Sequence, residues 1–419
     1  MLSGEYLSGV GFLHTPEPGV ISTRSFMQLN SMDMFSGLAH WRISQYFSSV
    51  EALAFKLSPQ DNVRNEQLSS LARFFASLPP FGFNCRVVNI FLEDFEEGVD
   101  LQFLTSIMAQ LHRTGCVDFR IQSSYLAKPA RFDVPPTDVD NVFTHNMERL
   151  FIHSPAIFSA SLMPWFIGTL VLGATLTSVD VLSVGLGPLE WAAILPGVFL
   201  PFLRELRLVG VDLPTLIAFL HRHSSLLAIY LDGLRLTDDP QVFRLSLTLP
   251  RLRTIEGDEW QILCFLQSLA PLESQDLLTV SFRDDYSMAA KPLEPFDTDA
   301  CLRSFSLLTE LVGESYLTLY FNFTNLRRFS TFSEDRTSNS PNSCPERYLR
   351  VDRMEINIFG QSQSDCTALL ENCIEWTPLF SRIKVLRIWV GEMMLTDDAR
   401  QGYLQRLSLS LPETTISLV

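Results

Sequence analysis

An irregular α/β solenoid of parallel strands and helices is predicted for this 419-residue chain by three observations. A short apolar pattern recurs along it, the copies keep a near-constant interval, and several intervening stretches carry helix signals. LRELRL at Leu203 serves as the template: apolar at the first, fourth and sixth positions, with one exposed residue between the last two, as in a strand. The same spacing occurs at Val50, Val87, Cys116, Met147, Leu176, Leu226, Leu277, Leu302, Val351 and Ile383, with weaker copies at Leu252 and Leu326. From Leu176 to Val351 the starts are separated by 27, 23, 26, 25, 25, 24 and 25 residues. Such a period marks units that cannot cover their apolar face alone and gain stability by stacking.

Each element follows from this unit. The fourth and sixth residues of each copy point inward, and each one fully buried stabilises the fold by roughly 1.5–3 kcal/mol. Pro188–Leu200, Leu213–His223 and Glu259–Leu269 have compact apolar faces, and the first two carry proline near their starts, where a helix tolerates it. The Pro-, Ser- and acid-rich stretches Lys128–Asn141, Asp284–Asp299 and Glu334–Glu346 read as surface excursions. The organisation expected is an N-terminal cap over residues 1–49 and a repeat array over 50–419.

An interval of about 20–29 residues around L-x-x-L-x-L resembles the leucine-rich repeat. That resemblance implies a horseshoe-like solenoid with parallel strands on the concave face and helices on the convex face. The repeat's usual Asn or Cys, two residues beyond the last apolar position, is replaced by Val184, Val211, Leu234 and Phe359, so uneven curvature is expected.

Composition narrows the function. With 47% hydrophobic and 19% charged residues the chain has material for a continuous core. A net charge of −15, from 32 Lys and Arg against 47 Asp and Glu, disfavours a nucleic-acid partner. Seven cysteines, at 85, 116, 264, 301, 344, 366 and 373, lack the spacing of a disulfide scaffold and read as reduced thiols in the cytoplasm or nucleus. MLSGEYLSGVGFLHTPEPGV lacks a basic leader with a long apolar stretch. The uncharged run Ser154–Val179 is broken by Pro155, Pro164, Gly168 and Gly173, so no membrane association is expected.

Alternation along the strands assigns a set of polar and aromatic residues to the open face. It comprises Asn89, Phe91 and Glu93; Asp118, Arg120 and Gln122; Arg149, Phe151 and His153; Glu205 and Arg207; Tyr230 and Asp232; Arg283; Arg353, Glu355 and Asn357; and Arg387 and Trp389. Arginine and aromatic side chains among polar ones are what protein-binding hot spots use, so a protein partner is expected there. No catalytic, cofactor or metal site is read. His221 and His223 diverge at i, i+2 on a helix, and GLGPLE at Gly185 lacks the further glycine and the lysine of nucleotide-binding loops. TDDP at Thr237 and TDDA at Thr396 suit helix caps.

FLPFLRELRLVGVDLPTLIAFLHRHSSL, with GPLEWAAILP before it, resembles the leucine-rich-repeat region of fungal, mushroom-lineage F-box-type proteins. The resemblance implies repeats that select a substrate for a cullin-type ubiquitin ligase, and a cullin-ligase adaptor as a second partner. Residues 1–49 carry no leucine-proline opening of an F-box, although SMDMFSGLAHWRISQYF has helical character, so this region is a cap or a degenerate or absent F-box. The expectation is non-catalytic protein recognition. A repeat scaffold or GTPase regulator is the alternative, and an enzyme built on the same solenoid a further one.

Overall fold

The computed structural model describes residues 26–29, 49–78, 84–92, 101–123, 146–182, 186–235, 246–271, 278–283, 298–312, 317–323, 351–358, 383–390 and 395–419, with isolated positions 367, 370, 371 and 374. The chain divides into two units, Met1–Val211 and Asp212–Val419.

In the first unit the strands are β1 (Phe26–Leu29), β2 (Ser49–Leu57), β3 (Asn84–Leu92), β4 (Asp118–Ser123), β5 (Arg149–His153), β6 (Ser178–Val181) and β7 (Glu205–Leu208). Each pairs in parallel with its predecessor in the chain. Parallel neighbours need a crossover, and the helices supply it. These are α1 (Asp61–Ser77), α2 (Leu101–Gln110), α3 (Met163–Val171) and α4 (Pro188–Ile194), with 3₁₀ turns at Leu111–Thr114, Pro155–Phe158 and Leu195–Gly197. The second unit repeats the scheme. α5 (Leu213–Leu220) precedes β8 (Ala228–Tyr230), β9 (Thr254–Gly257), β10 (Leu278–Arg283), β11 (Leu317–Phe323), β12 (Val351–Ile358), β13 (Val385–Val390) and β14 (Thr415–Leu418). These again pair in parallel in chain order. α6 (Glu259–Ser268), α7 (Thr298–Val312) and α8 (Asp397–Ser410) lie between β9 and β10, β10 and β11, and β13 and β14. Each unit is thus a solenoid-like α/β array.

The inward pair of the copies that form described strands makes up the core as predicted. In the first unit the register aligns Leu53, Val88, Phe119, Leu150, Val179 and Leu206 in one buried row, and Phe55, Ile90, Ile121, Ile152, Val181 and Leu208 in the next. In the second, Ile229, Ile255, Val280, Leu319, Met354 and Leu386 line up, and Phe282, Phe321, Ile356 and Ile388 follow. Stacking like on like buries the apolar face that no single unit could cover. Val211 and Leu234, at places where the familiar repeat carries Asn or Cys, are buried as well.

Local signals set the helix starts. Asp212 Oδ1 accepts the Thr215 N–H at 2.8 Å to cap α5, and Asp258 exchanges bonds with Gln261 to cap α6. Glu190 accepts the Gly187 N–H at 2.9 Å ahead of α4, so the described part of GLGPLE, from Leu186 on, leads into a helix. Thr396 Oγ1 accepts from Ala399 N and caps α8. Trp191, fully buried on α4, donates from Nε1 to the Val209 carbonyl at 3.0 Å, tying helix to strand end. Gly210 follows with φ +81°, and a Cβ there would lie 2.4 Å from the Leu186 carbonyl oxygen.

Two expectations are corrected. LRSFSL at Leu302 is not a strand but the middle of α7. Its buried positions Ala300, Cys301, Ser304, Phe305, Leu308 and Leu311 follow a helical period, so Leu302 and Phe305 satisfy the template only because i, i+3 suits a helix too. The strand is LTLYFNF, β11, and with Leu326 outside the described residues the interval near 25 does not hold between β10 and β12. The second correction concerns FMQL (β1) and TISL (β14), strands beyond the predicted copies. Lys128–Asn141, residues 284–297 of the second excursion, Glu334–Glu346, the helical reading of residues 31–47 and Thr237 lie outside the described residues. Ser154–Val179 forms a 3₁₀ turn, α3 and the start of β6, and among the described residues no helix is long and apolar enough to cross a membrane.

Candidate functional site

Residues alternating with the core rows occupy the opposite face of the strands in each unit, where parallel register sets them in transverse rows. In the first unit one row runs Val87, Asp118, Arg149, Ser178, Glu205; the next runs Asn89, Arg120, Phe151, Asp180, Arg207; the third holds Phe91, Gln122 and His153. Asp118, with its side chain 8% exposed, accepts Arg120 Nε at 2.9 Å and Nη2 at 2.7 Å, while Arg149 Nη1 stands 3.8 Å away. The bond to Asp118 raises the Arg120 pKa above its ordinary value, so that cation is held firmly. Asp180 is bracketed likewise, by His153 Nε2 at 3.0 Å and Arg207 Nη1 at 3.4 Å. Phe151 stacks on the His153 ring at 3.5 Å. Glu205 accepts from Ser178 Oγ at 3.0 Å. Asn89 Oδ1 is buried without a hydrogen-bond partner among the described residues.

In the second unit the rows are Ala228, Thr254, Thr279, Thr318, Arg353, Val385; then Tyr230, Glu256, Ser281, Tyr320, Glu355, Arg387, Ser417; and Arg283, Asn322, Asn357, Trp389. Arg283 joins Glu256 at 2.6 Å and Asp232, whose side chain is only 3% exposed. Glu355, 12% exposed, receives Arg353 Nε at 2.5 Å, with Arg387 Nη1 at 3.8 Å from the same oxygen. Asn357 Nδ2 donates to Asn322 Oδ1 at 2.5 Å.

Exposure sorts the predicted set. Arg120, Arg149, Arg353, Arg387 and Trp389 are between about two-fifths and three-fifths exposed and can meet another molecule. Asp118 and Asp232 are buried, and Arg207 and Arg283 largely so, and these position their neighbours. Glu205 is exposed, Asn89, Phe91, Phe151 and Tyr230 are half-buried, and Glu355 is largely buried. Glu93 lies outside the described residues. Asp180, Glu256, Tyr320 and Asn322 belong to the same rows but were absent from the prediction; Asp180 and Glu256 are the fifth residues of LTSVDV and LRTIEG, the very place that supplied Arg207.

Away from this face, His223 is buried against the end of α5, its Nδ1 2.7 Å from the Phe219 carbonyl and its ring stacked on Phe219, while His221 is exposed. Among the described residues no group of three or more His, Cys, Asp or Glu could hold a metal ion. Cys85, Cys116, Cys264 and Cys301 are buried free thiols. Burial pushes Cys85 up to about 12 and Cys264 up to about 11, which keeps both as thiols. No protein-family model matches the chain, and no curated protein matches it.

Proposed function

We propose that this chain is a non-catalytic protein-recognition module of the leucine-rich-repeat type, horseshoe-like, with the open strand face as the concave binding surface. One observation carries the reading: largely buried carboxylates on that face hold arginines that stay about two-fifths to three-fifths exposed, with Phe151 and Trp389 in the same or the adjacent rows. A guanidinium pinned by a neighbour loses little freedom on binding, which is what an interface anchor requires. In the F-box-type setting implied by the resemblance, the partner is a substrate presented to a cullin-type ubiquitin ligase in the cytoplasm or nucleus.

The test is affinity purification of the tagged chain from its native cells, read by mass spectrometry, beside the variants Arg149→Glu, Arg387→Glu and Trp389→Ala. Proteins captured by the native chain and lost with a variant support recognition through the strand face. Recovery of a cullin adaptor supports the ligase role, and specific partners without ligase subunits remove it. Capture indifferent to all three substitutions refutes the module as proposed.

A further inference from the structure

Resting on the recognition reading, we infer that the open face of β11–β14 binds an extended, acidic segment of a protein partner. Its charged side chains are Arg353, Glu355 and Arg387, two cations to one carboxylate, set among the neutral Thr318, Tyr320, Asn322, Asn357, Trp389 and Ser417. One oxygen of Glu355 serves both guanidiniums, Arg353 in close contact and Arg387 only at 3.8 Å, so Arg387, 43% exposed, is the more loosely engaged of the two. At the rim, Lys384 and Asp352 pair with each other and leave that surplus unchanged. The chain's net charge of −15 does not decide the local sign, because charges beyond about 8 Å are largely screened at physiological ionic strength. The face of β8–β10 has the opposite balance, Arg283 between Asp232 and Glu256, and Asp232 is buried.

Shape and polarity define the rest of the ligand. Asn357 gives a hydrogen to Asn322, which leaves an amide carbonyl on one and an amide N–H on the other, the pair that matches a peptide main chain. Trp389, 45% exposed, is the register neighbour of Asn357 and lies two residues beyond Arg387 on the same face. Neighbouring strands are about 4.8 Å apart, so four strands span roughly 14 Å, the reach of four or five extended residues. Such a segment laid across the strands sets carboxylates on Arg387 and Arg353, its main chain on the asparagine pair and an apolar side chain on Trp389.

The experiment measures fluorescence anisotropy of three labelled octapeptides, alternating serine with glutamate, glutamine or lysine, titrated with the 419-residue chain. The glutamate peptide should bind at least about tenfold tighter than the glutamine one, and Arg387→Glu or Trp389→Ala should each weaken it about tenfold. Glu355→Gln should tighten it severalfold, because it removes the one negative side chain of the face while its amide oxygen can still hold Arg353, a gain that no unfolded variant would show. Equal or tighter binding of the lysine peptide, no binding of the glutamate peptide, or indifference to Arg387→Glu overturns the inference. The two proposals fail separately: capture of cellular partners lost with Arg149→Glu but not with Arg387→Glu removes this site and retains the module, whereas capture indifferent to these two and to Trp389→Ala removes the module as well.

Discussion

Replacing Phe282 by Ala should destabilise the second unit by about 4 kcal/mol, in the middle of the ~3–5 kcal/mol range for such truncations. Phe282 is 2% exposed on β10, stacked on Phe321 at 5.2 Å with planes 6° apart and met edge-on by Phe305 at 5.7 Å. Its other register neighbour is Gly257, which has no side chain to move into the space. The cavity therefore stays open, and ring pairs worth ~0.5–1.5 kcal/mol each are lost with it. Stacked arrays depart from two-state unfolding, so native-state hydrogen exchange is the suitable assay. Protection of the Val280 and Leu319 amides should fall by about three orders of magnitude, since each 1.4 kcal/mol is tenfold, with a smaller loss at Leu386 two strands further on. Phe202→Ala, at a side chain 61% exposed, should change protection little. A loss below about 1 kcal/mol for Phe282→Ala, or an equal loss at Leu386, would refute nearest-neighbour stacking as the source of stability.

Further outcomes follow from single residues. Gly210→Ala should cost at least about 1–2 kcal/mol for its left-handed backbone, and more because the new Cβ meets the Leu186 carbonyl, as thermal unfolding would show. Burial holds the His223 pKa below its ordinary 6.5, so the unfolded chain takes up the proton first as pH falls. Stability should accordingly be full above about pH 6.5 and decline below it, and His223→Gln should flatten that limb of a urea midpoint-versus-pH profile. Cys85 and Cys264 should resist iodoacetamide at pH 8 in the folded chain and react on denaturation, read by site-resolved mass spectrometry.

The array was legible because its signal is short-ranged: alternation at Leu206 and Leu208, or at Ile229 and Leu231, fixes which side chains turn inward without knowledge of any partner strand. The Leu302 error shows the limit of that signal. Apolar residues three apart suit a helix equally, and a regular interval led past LTLYFNF, whose alternation through Leu317, Leu319 and Phe321 is the cleaner strand pattern. The open face was half legible. Alternation named Asp118, Arg120, Arg149 and Arg387, but cross-strand register, which sequence spacing does not carry, decides that Asp118 is a buried bracket and Arg149 an exposed arm. The pairing of Asn322 with Asn357 joins residues 35 positions apart, and no local motif marks it.

Within each unit the described strands bond to their neighbours in chain order. Alignment is consequently a relay, handed on one rung at a time, and the segments that return the chain from one strand to the next can change length without misaligning distant rungs. β10 to β11 and β11 to β12 already use longer returns than β6 to β7. Such a scaffold can gain, lose or lengthen a rung and still present a continuous ladder, which lets the surface residues be revised separately from the frame that carries them.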